Sequence, residues 1–100
     1  MNLSFNLQDP EYKEIFEVLA GLKRAEEVAQ FLVDLCTPKE LMALASRWQV
    51  AKLVEQGVSY REICEATGAS TATITRVGRC LQFGKGYKSV LQRRARKAKP

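Results

Sequence analysis

Apolar residues recur at helical spacing in the first third of the chain. The first set comprises Tyr12, Ile15, Phe16, Leu19 and Leu22. It follows Asp9-Pro10, an N-cap and a proline at the first helical position, and Gly21 predicts its end. The second set, from about Arg24 to Leu35, comprises Ala25, Val28, Ala29, Phe31, Leu32, Val33 and Leu35. It nearly encircles the helix axis, so we expect this helix to be buried between two chains of a homodimer.

A third helix is predicted from Thr37 to Gly57. The segment TPKE, Thr37 to Glu40, is a capping box with proline in the first turn, and Gly57 is a natural stop. The apolar positions between them are Leu41, Leu44, Ala45, Trp48, Ala51 and Val54. We expect Trp48 to lie in the core. Because no segment alternates as a strand does, the predicted fold class is all-α, with about six helices in a single domain over residues 1–92.

Residues 59–81 predict two short helices joined by a tight turn. Ser59 and Glu62 form a capping box for a helix over 60–67, and Gly68 supplies a left-handed turn. Ser70 then caps a second helix whose inner face carries Ile74, Val77, Gly78 and Leu81. Two helices joined by a glycine turn are typical of a helix-turn-helix.

The second of these helices has the side chains that DNA reading requires. In a helix-turn-helix, the N-terminal part of the second helix enters the major groove, so its residues must be short and must offer hydroxyls or methyls to base edges. The predicted DNA-binding residues are Arg61, Ser70, Thr71, Ala72, Thr73, Thr75 and Arg79. Among them, Arg61 can reach a guanine edge or a phosphate from the first helix.

Charge is distributed unevenly. Residues 1–50 carry a net charge of −3, residues 51–100 carry +8, and no acidic residue follows Glu65. Such a basic half favours a polyanionic partner, nucleic acid first and an anionic membrane second, although a solvated surface is the plain alternative. The tail RRARKAKP, residues 93–100, is predicted to be disordered and to add non-specific affinity for phosphate.

Several classes of protein are disfavoured. The chain has no histidine, and Cys36, Cys64 and Cys80 are widely spaced and odd in number, which predicts no disulfide framework and no metal site. Without histidine the commonest general base is missing, so we do not expect an enzyme. No apolar run is long enough to span a bilayer, and the N-terminus has no signal-peptide pattern. These features predict a cytoplasmic protein.

Residues 37–81 resemble the Trp repressor family. The matching residues are Thr37-Pro38, Arg47, Gly57, Ser59, Arg61-Glu62, Gly68-Ala69 and the segment ATITR at 72–76. The flanking segments LQDP and GKGYKSVL are most similar to the YerC branch of that family. The resemblance implies six helices, an intertwined homodimer formed by the N-terminal helices, and double-stranded operator DNA as partner.

The resemblance also implies residue roles. Arg61 matches a base-contacting arginine, and Thr71, Ala72, Thr73 and Thr75 match recognition-helix contacts. Arg47 and Arg76 match two arginines that clamp an amino-acid corepressor. Val77 stands where tryptophan-binding members have glycine, and Cys80 where they have a serine facing the ligand's amino group. We therefore expect that any effector is a small carboxylate or amino acid other than tryptophan, or that the protein needs no effector. No other cofactor is expected.

Three functions remain open from the sequence. The first is a dimeric, sequence-specific transcriptional repressor. The second is a sequence-indifferent nucleoid or RNA-associated module, which the basic tail favours and the short side chains of the second helix disfavour. The third is a protein-interaction module with an acidic partner. For Arg47 the alternative to a ligand role is an exposed or ion-paired arginine, and for Arg76 it is a phosphate contact.

Overall fold

A computed structural model describes residues 6–98 of the chain. Within that range it contains six helices and no strand, which confirms the all-α prediction. The helices are α1 (Pro10–Ala20), α2 (Ala25–Leu35), α3 (Pro38–Glu55), α4 (Tyr60–Thr67), α5 (Thr71–Phe83) and α6 (Gly86–Ala98). Inter-residue contacts divide the chain into two compact units, with the boundary between Pro38 and Lys39. A single domain over residues 1–92 stays a prediction. None of the helices described has both the length and the apolar character needed to cross a bilayer.

Helices α1 and α2 form the first unit. As predicted, α1 begins at Pro10, but the side chain of Asp9 makes no capping hydrogen bond. Asp9 is nevertheless the N-cap residue, as predicted, and its carbonyl oxygen accepts from the backbone N–H of Lys13 at 3.0 Å. Helix α2 begins one residue later than predicted. Neither helix contains a buried residue, and Val33 and Leu35 are 62% and 51% exposed.

The core of the second unit is formed by side chains from three helices. They are Val50 and Ala51 of α3, Ile63 of α4, and Ile74, Val77 and Leu81 of α5. Trp48 is half-buried against this cluster, and its ring lies 6.5 Å from that of Tyr87 at an interplanar angle of 25°. This stacked pair links α3 to α6. The predicted inner face of α5 is thus confirmed for its three large residues.

The turn between α4 and α5 has the predicted glycine. Gly68 has φ +74°, and its N–H donates to the carbonyl oxygen of Cys64 at 2.9 Å. Thr67, which the sequence reasoning did not identify, adds two hydrogen bonds here. Its hydroxyl donates to the carbonyl of Ile63 at 2.7 Å and accepts from the N–H of Ala69 at 3.1 Å. Together these bonds pair the carbonyl oxygens of Ile63 and Cys64 and the N–H of Ala69 within the turn.

Helix α6 extends through most of the tail that was expected to be disordered. Residues 93–98 are helical, so that expectation is wrong for them, whereas residues 99–100 lie outside the described range. Tyr87 and Leu91 pack against the core and anchor the first turns of the helix. Cations in the last turn, Arg96 and Lys97, also interact favourably with the negative end of the helix dipole.

Candidate nucleic-acid interface

The N-terminus of α5 is held by Ser70. Its Oγ accepts from the backbone N–H of Thr73 at 3.1 Å and lies 3.1 Å from the Oγ1 of the same threonine. Ser70 is therefore the predicted N-cap of the helix. Thr73, expected among the base-contacting residues, is half-buried and engaged with this cap. Its hydroxyl is thus less available to a ligand than the hydroxyls of Thr71 and Thr75, which are exposed.

The outward side of α5 is one continuous surface, which we call the α5 face. It consists of Thr71, Ala72, Thr75, Arg76, Arg79 and Cys80, all exposed. The inward side carries Ile74, Val77 and Leu81, so the core holds α5 with the α5 face turned to solvent. The structure thereby brings together four predicted DNA-binding residues and two predicted ligand-binding residues.

Helices α4 and α5 approach closely at Gly78. A Cβ atom at this position would lie 2.5 Å from the Tyr60 hydroxyl, so a larger residue would displace the tyrosine. Helical periodicity places Gly78 on the inner face of α5, and Tyr60 of α4 is its neighbour there. Nothing in the local pattern signals this contact, because the two residues belong to different helices.

Arg61 lies on the exposed surface of α4. Its Nε is 3.9 Å from an Oε of Glu65, one turn further along, and both side chains are largely exposed. Exposed ion pairs of this kind contribute at most about 1 kcal/mol. Arg61 can therefore exchange this partner for a phosphate or a base at little cost.

The α5 face carries uncompensated positive charge. Among residues 6–98, the ion pairs found are Arg24–Glu26 in the first unit and Arg61–Glu65 in α4. Neither involves α5, and its first turn contains no acidic residue. The positive end of the helix dipole lies at the first turn of α5, and Arg76 and Arg79 follow in the second and third turns on the α5 face. Positive charge therefore extends along this surface and favours an anionic ligand.

Comparison with protein families identifies the fold. The family model described as Trp repressor protein matches residues 10–95. The chain belongs to the Trp repressor family. Its membership agrees with the resemblance seen over residues 37–81 and extends it through α1, α2 and α6. Family membership indicates a DNA-binding transcription regulator.

Individual Trp repressor relatives support the assignment. The uncharacterized protein YerC of Bacillus subtilis is 43% identical over 88 residues, covering 87% of this chain and 85% of YerC. A TrpR-like protein from Eubacterium eligens superimposes with a TM-score of 0.85 at 39% identity, covering 89% of this chain and 93% of that one. A putative Trp repressor from Staphylococcus aureus gives 0.84 at 43% identity, with coverage of 89% and 90%.

The four predicted ligand-binding residues of this Trp repressor relative have different surroundings. Arg76 and Cys80 are exposed on the α5 face, whereas Arg47 is half-buried on α3. Within residues 6–98, no described hydrogen bond or ion pair engages either arginine. The side chain of Val77 is 1% exposed and lies in the core cluster, and its role beside a ligand stays a prediction.

Proposed function

We propose that the chain is a sequence-specific DNA-binding transcriptional repressor that acts as a homodimer. The α5 face is the main support for this proposal, because its short side chains precede two arginines. The opposite side of the helix is buried in the core and fixes the orientation of this face. Thr71, Ala72 and Thr75 let the backbone approach base edges and offer hydroxyl and methyl groups to them. Arg76 and Arg79 follow within the next turn, where they are available to phosphates or guanines.

A homodimer accounts for the apolar surface of the first unit. Neither α1 nor α2 contains a buried residue, although α2 has a broad apolar side that includes Val28, Phe31, Leu32, Val33 and Leu35. A second chain supplies the missing cover. Two α5 helices related by a two-fold axis then read half-sites separated by one turn of DNA, about 34–36 Å.

We expect Thr75→Ala to weaken binding to a selected operator by about 1–3 kcal/mol while leaving binding to random duplexes nearly unchanged. Thr75 suits this test better than Thr73, since Thr73 also takes part in the helix cap. The operator is first obtained by selection from random DNA. Fluorescence anisotropy with selected and random duplexes, at one salt concentration, measures the difference.

Thr75→Ser and Gln49→Ala provide the controls. The first keeps the hydroxyl and removes only the methyl group, so it separates the two contacts that threonine offers. Gln49 is exposed on α3 and is not part of the α5 face, so its replacement should change the affinity for neither the selected nor the random duplex. Equal losses on selected and random duplexes for Thr75→Ala would show that α5 does not read sequence, which would instead support sequence-indifferent binding.

We further infer that any effector is a small carboxylate other than tryptophan. Arg47 and Arg76 are available for charge-assisted hydrogen bonds with a carboxylate. A flat indole needs space beside α5, but Val77 is packed there among Val50, Ala51 and other core residues. Inserting further bulk into a packed core typically costs about 1–3 kcal/mol. Cys80 is also only a weak acceptor for an ammonium group.

Calorimetric titration with tryptophan should therefore show no micromolar binding, and operator affinity should be the same with and without tryptophan. A tryptophan-binding member of the family, titrated in parallel, controls for sensitivity. A panel of other amino acids and carboxylates, tested in the same way, identifies an effector where one exists. Micromolar tryptophan affinity together with tryptophan-dependent operator binding would overturn the inference from Val77 and Cys80.

A further inference from the structure

Helix α6 has a polar side that faces away from the core. Its anchoring residues, Tyr87 and Leu91, are separated by one turn and pack against the core cluster. With 100° between successive residues, the opposite side of the helix is formed by Lys85, just before the first turn, and by Ser89, Gln92, Arg93 and Arg96. We call this set the α6 stripe. At 1.5 Å per residue it runs for about 16 Å along the helix.

The positive charge of α6 has no acidic partner in the same helix. No Asp or Glu follows Glu65 in the sequence, and neither ion pair found within residues 6–98 involves α6. Lys85 and Lys88 lie at the start of the helix, where the dipole disfavours cations. Arg93 and Arg96 are three positions apart in the sequence and therefore repel each other on one side of the helix. An external anion relieves both effects.

The α6 stripe is held in the same compact unit as the α5 face. Leu81 of α5 lies in the core against which Tyr87 and Leu91 of α6 pack. The two basic surfaces therefore move together. We propose that the α6 stripe binds phosphates of the same DNA duplex, next to the segment that α5 contacts. The proposal takes from the proposed function only that the partner is duplex DNA, and it does not depend on sequence preference.

Two other cations of α6 provide a matched control. Arg94 and Lys97 line a groove between α6 and the end of α3, together with Lys52 and Glu55. They belong to the same five-residue segment, 93–97, as Arg93 and Arg96 but lie toward α3. If charge alone mattered, as in a disordered tail, removing either pair would have the same effect. If the α6 stripe binds phosphates, only the outward pair contributes strongly.

The experiment compares Arg93→Gln/Arg96→Gln with Arg94→Gln/Lys97→Gln on a random-sequence duplex over a range of salt concentrations. The slope of log K against log salt is negative, and each lost phosphate contact reduces its magnitude by about 0.9. Replacing the outward pair should therefore reduce the magnitude of the slope by about 2 for each chain, and replacing the groove pair should reduce it by less than half of that. Far-UV circular dichroism and thermal unfolding confirm that both variants remain folded.

A second measurement uses the unchanged protein. It uses duplexes in which the phosphates next to the segment that α5 contacts are replaced by neutral methylphosphonates. The replacement should reduce the magnitude of the slope for the wild-type chain but not for Arg93→Gln/Arg96→Gln. This arm remains decisive even where a variant fails to fold. Equal slopes for the two variant pairs, or no effect of neutral flanks on the wild-type protein, would overturn the proposal. A third outcome separates the two proposals. If neutral phosphates change the slope but the protein does not prefer a selected operator, phosphate binding by the α6 stripe is supported and the proposed sequence-specific function is contradicted.

Discussion

Replacing Ile74 with alanine should lower the free energy of unfolding by about 2–5 kcal/mol. The side chain is completely buried and lies in the core formed by α3, α4 and α5. Its removal withdraws apolar surface from the core and leaves a cavity that the three helices can only partly fill. Denaturant unfolding, followed by circular dichroism at one fixed chain concentration, measures the change. Operator affinity should fall as well, because α5 loses its main anchor.

Two variants control this measurement. Ile63→Val removes one methyl group from an equally buried position and should cost only about 0.5–1.5 kcal/mol. Thr75→Ala changes the exposed side of the same helix and should stay within about 0.5 kcal/mol of the parent. A different result is that the free energy of unfolding falls by less than about 1 kcal/mol for Ile74→Ala, or by no more than it does for Thr75→Ala. Either outcome would show that Ile74 does not lie in a packed core.

Raising the chain concentration a hundredfold should stabilise the folded protein by about 2.7 kcal/mol, seen as an increase in the unfolding temperature. The reason is the apolar surface of α1 and α2, which one chain leaves uncovered: Phe16, Val33 and Leu35 are each about half exposed or more. When burial of that surface needs a second chain, folding and association become one equilibrium. Thermal unfolding at several chain concentrations tests this directly.

Sedimentation provides the independent check on the dimer. The chain should sediment as a dimer at low micromolar concentration. Val33→Asp places a charge on the exposed side of α2 and should shift the protein towards monomers, because an unpaired charge is costly to bury. A monomer throughout the concentration range, with an unfolding temperature that does not depend on concentration, would rule out the proposed assembly.

The sequence alone determined the features that depend on near neighbours in the chain. The helical spacing of apolar residues predicted the all-α class. Ser70 was identified as a cap and Gly68 as a left-handed turn because both roles depend on backbone geometry within a few residues. Ile74, Val77 and Leu81 were placed on one side of α5 for the same reason, since helical periodicity decides which residues share a side.

Only the tertiary structure decided which polar and apolar groups are available to a ligand. Side chains from α3 and α4 join Val77 in the core, so the fold fills the space beside this residue. Thr73 was expected to contact bases, but it is half-buried and its hydroxyl lies against Ser70. Residues 93–98 were expected to be disordered, whereas packing of Tyr87 and Leu91 against the core supports their helix. For Val77 and residues 93–98, contacts between helices distant in sequence determine the outcome, and a local pattern does not record them. For Thr73 the contact with Ser70 is local, and only its partial burial depends on the fold.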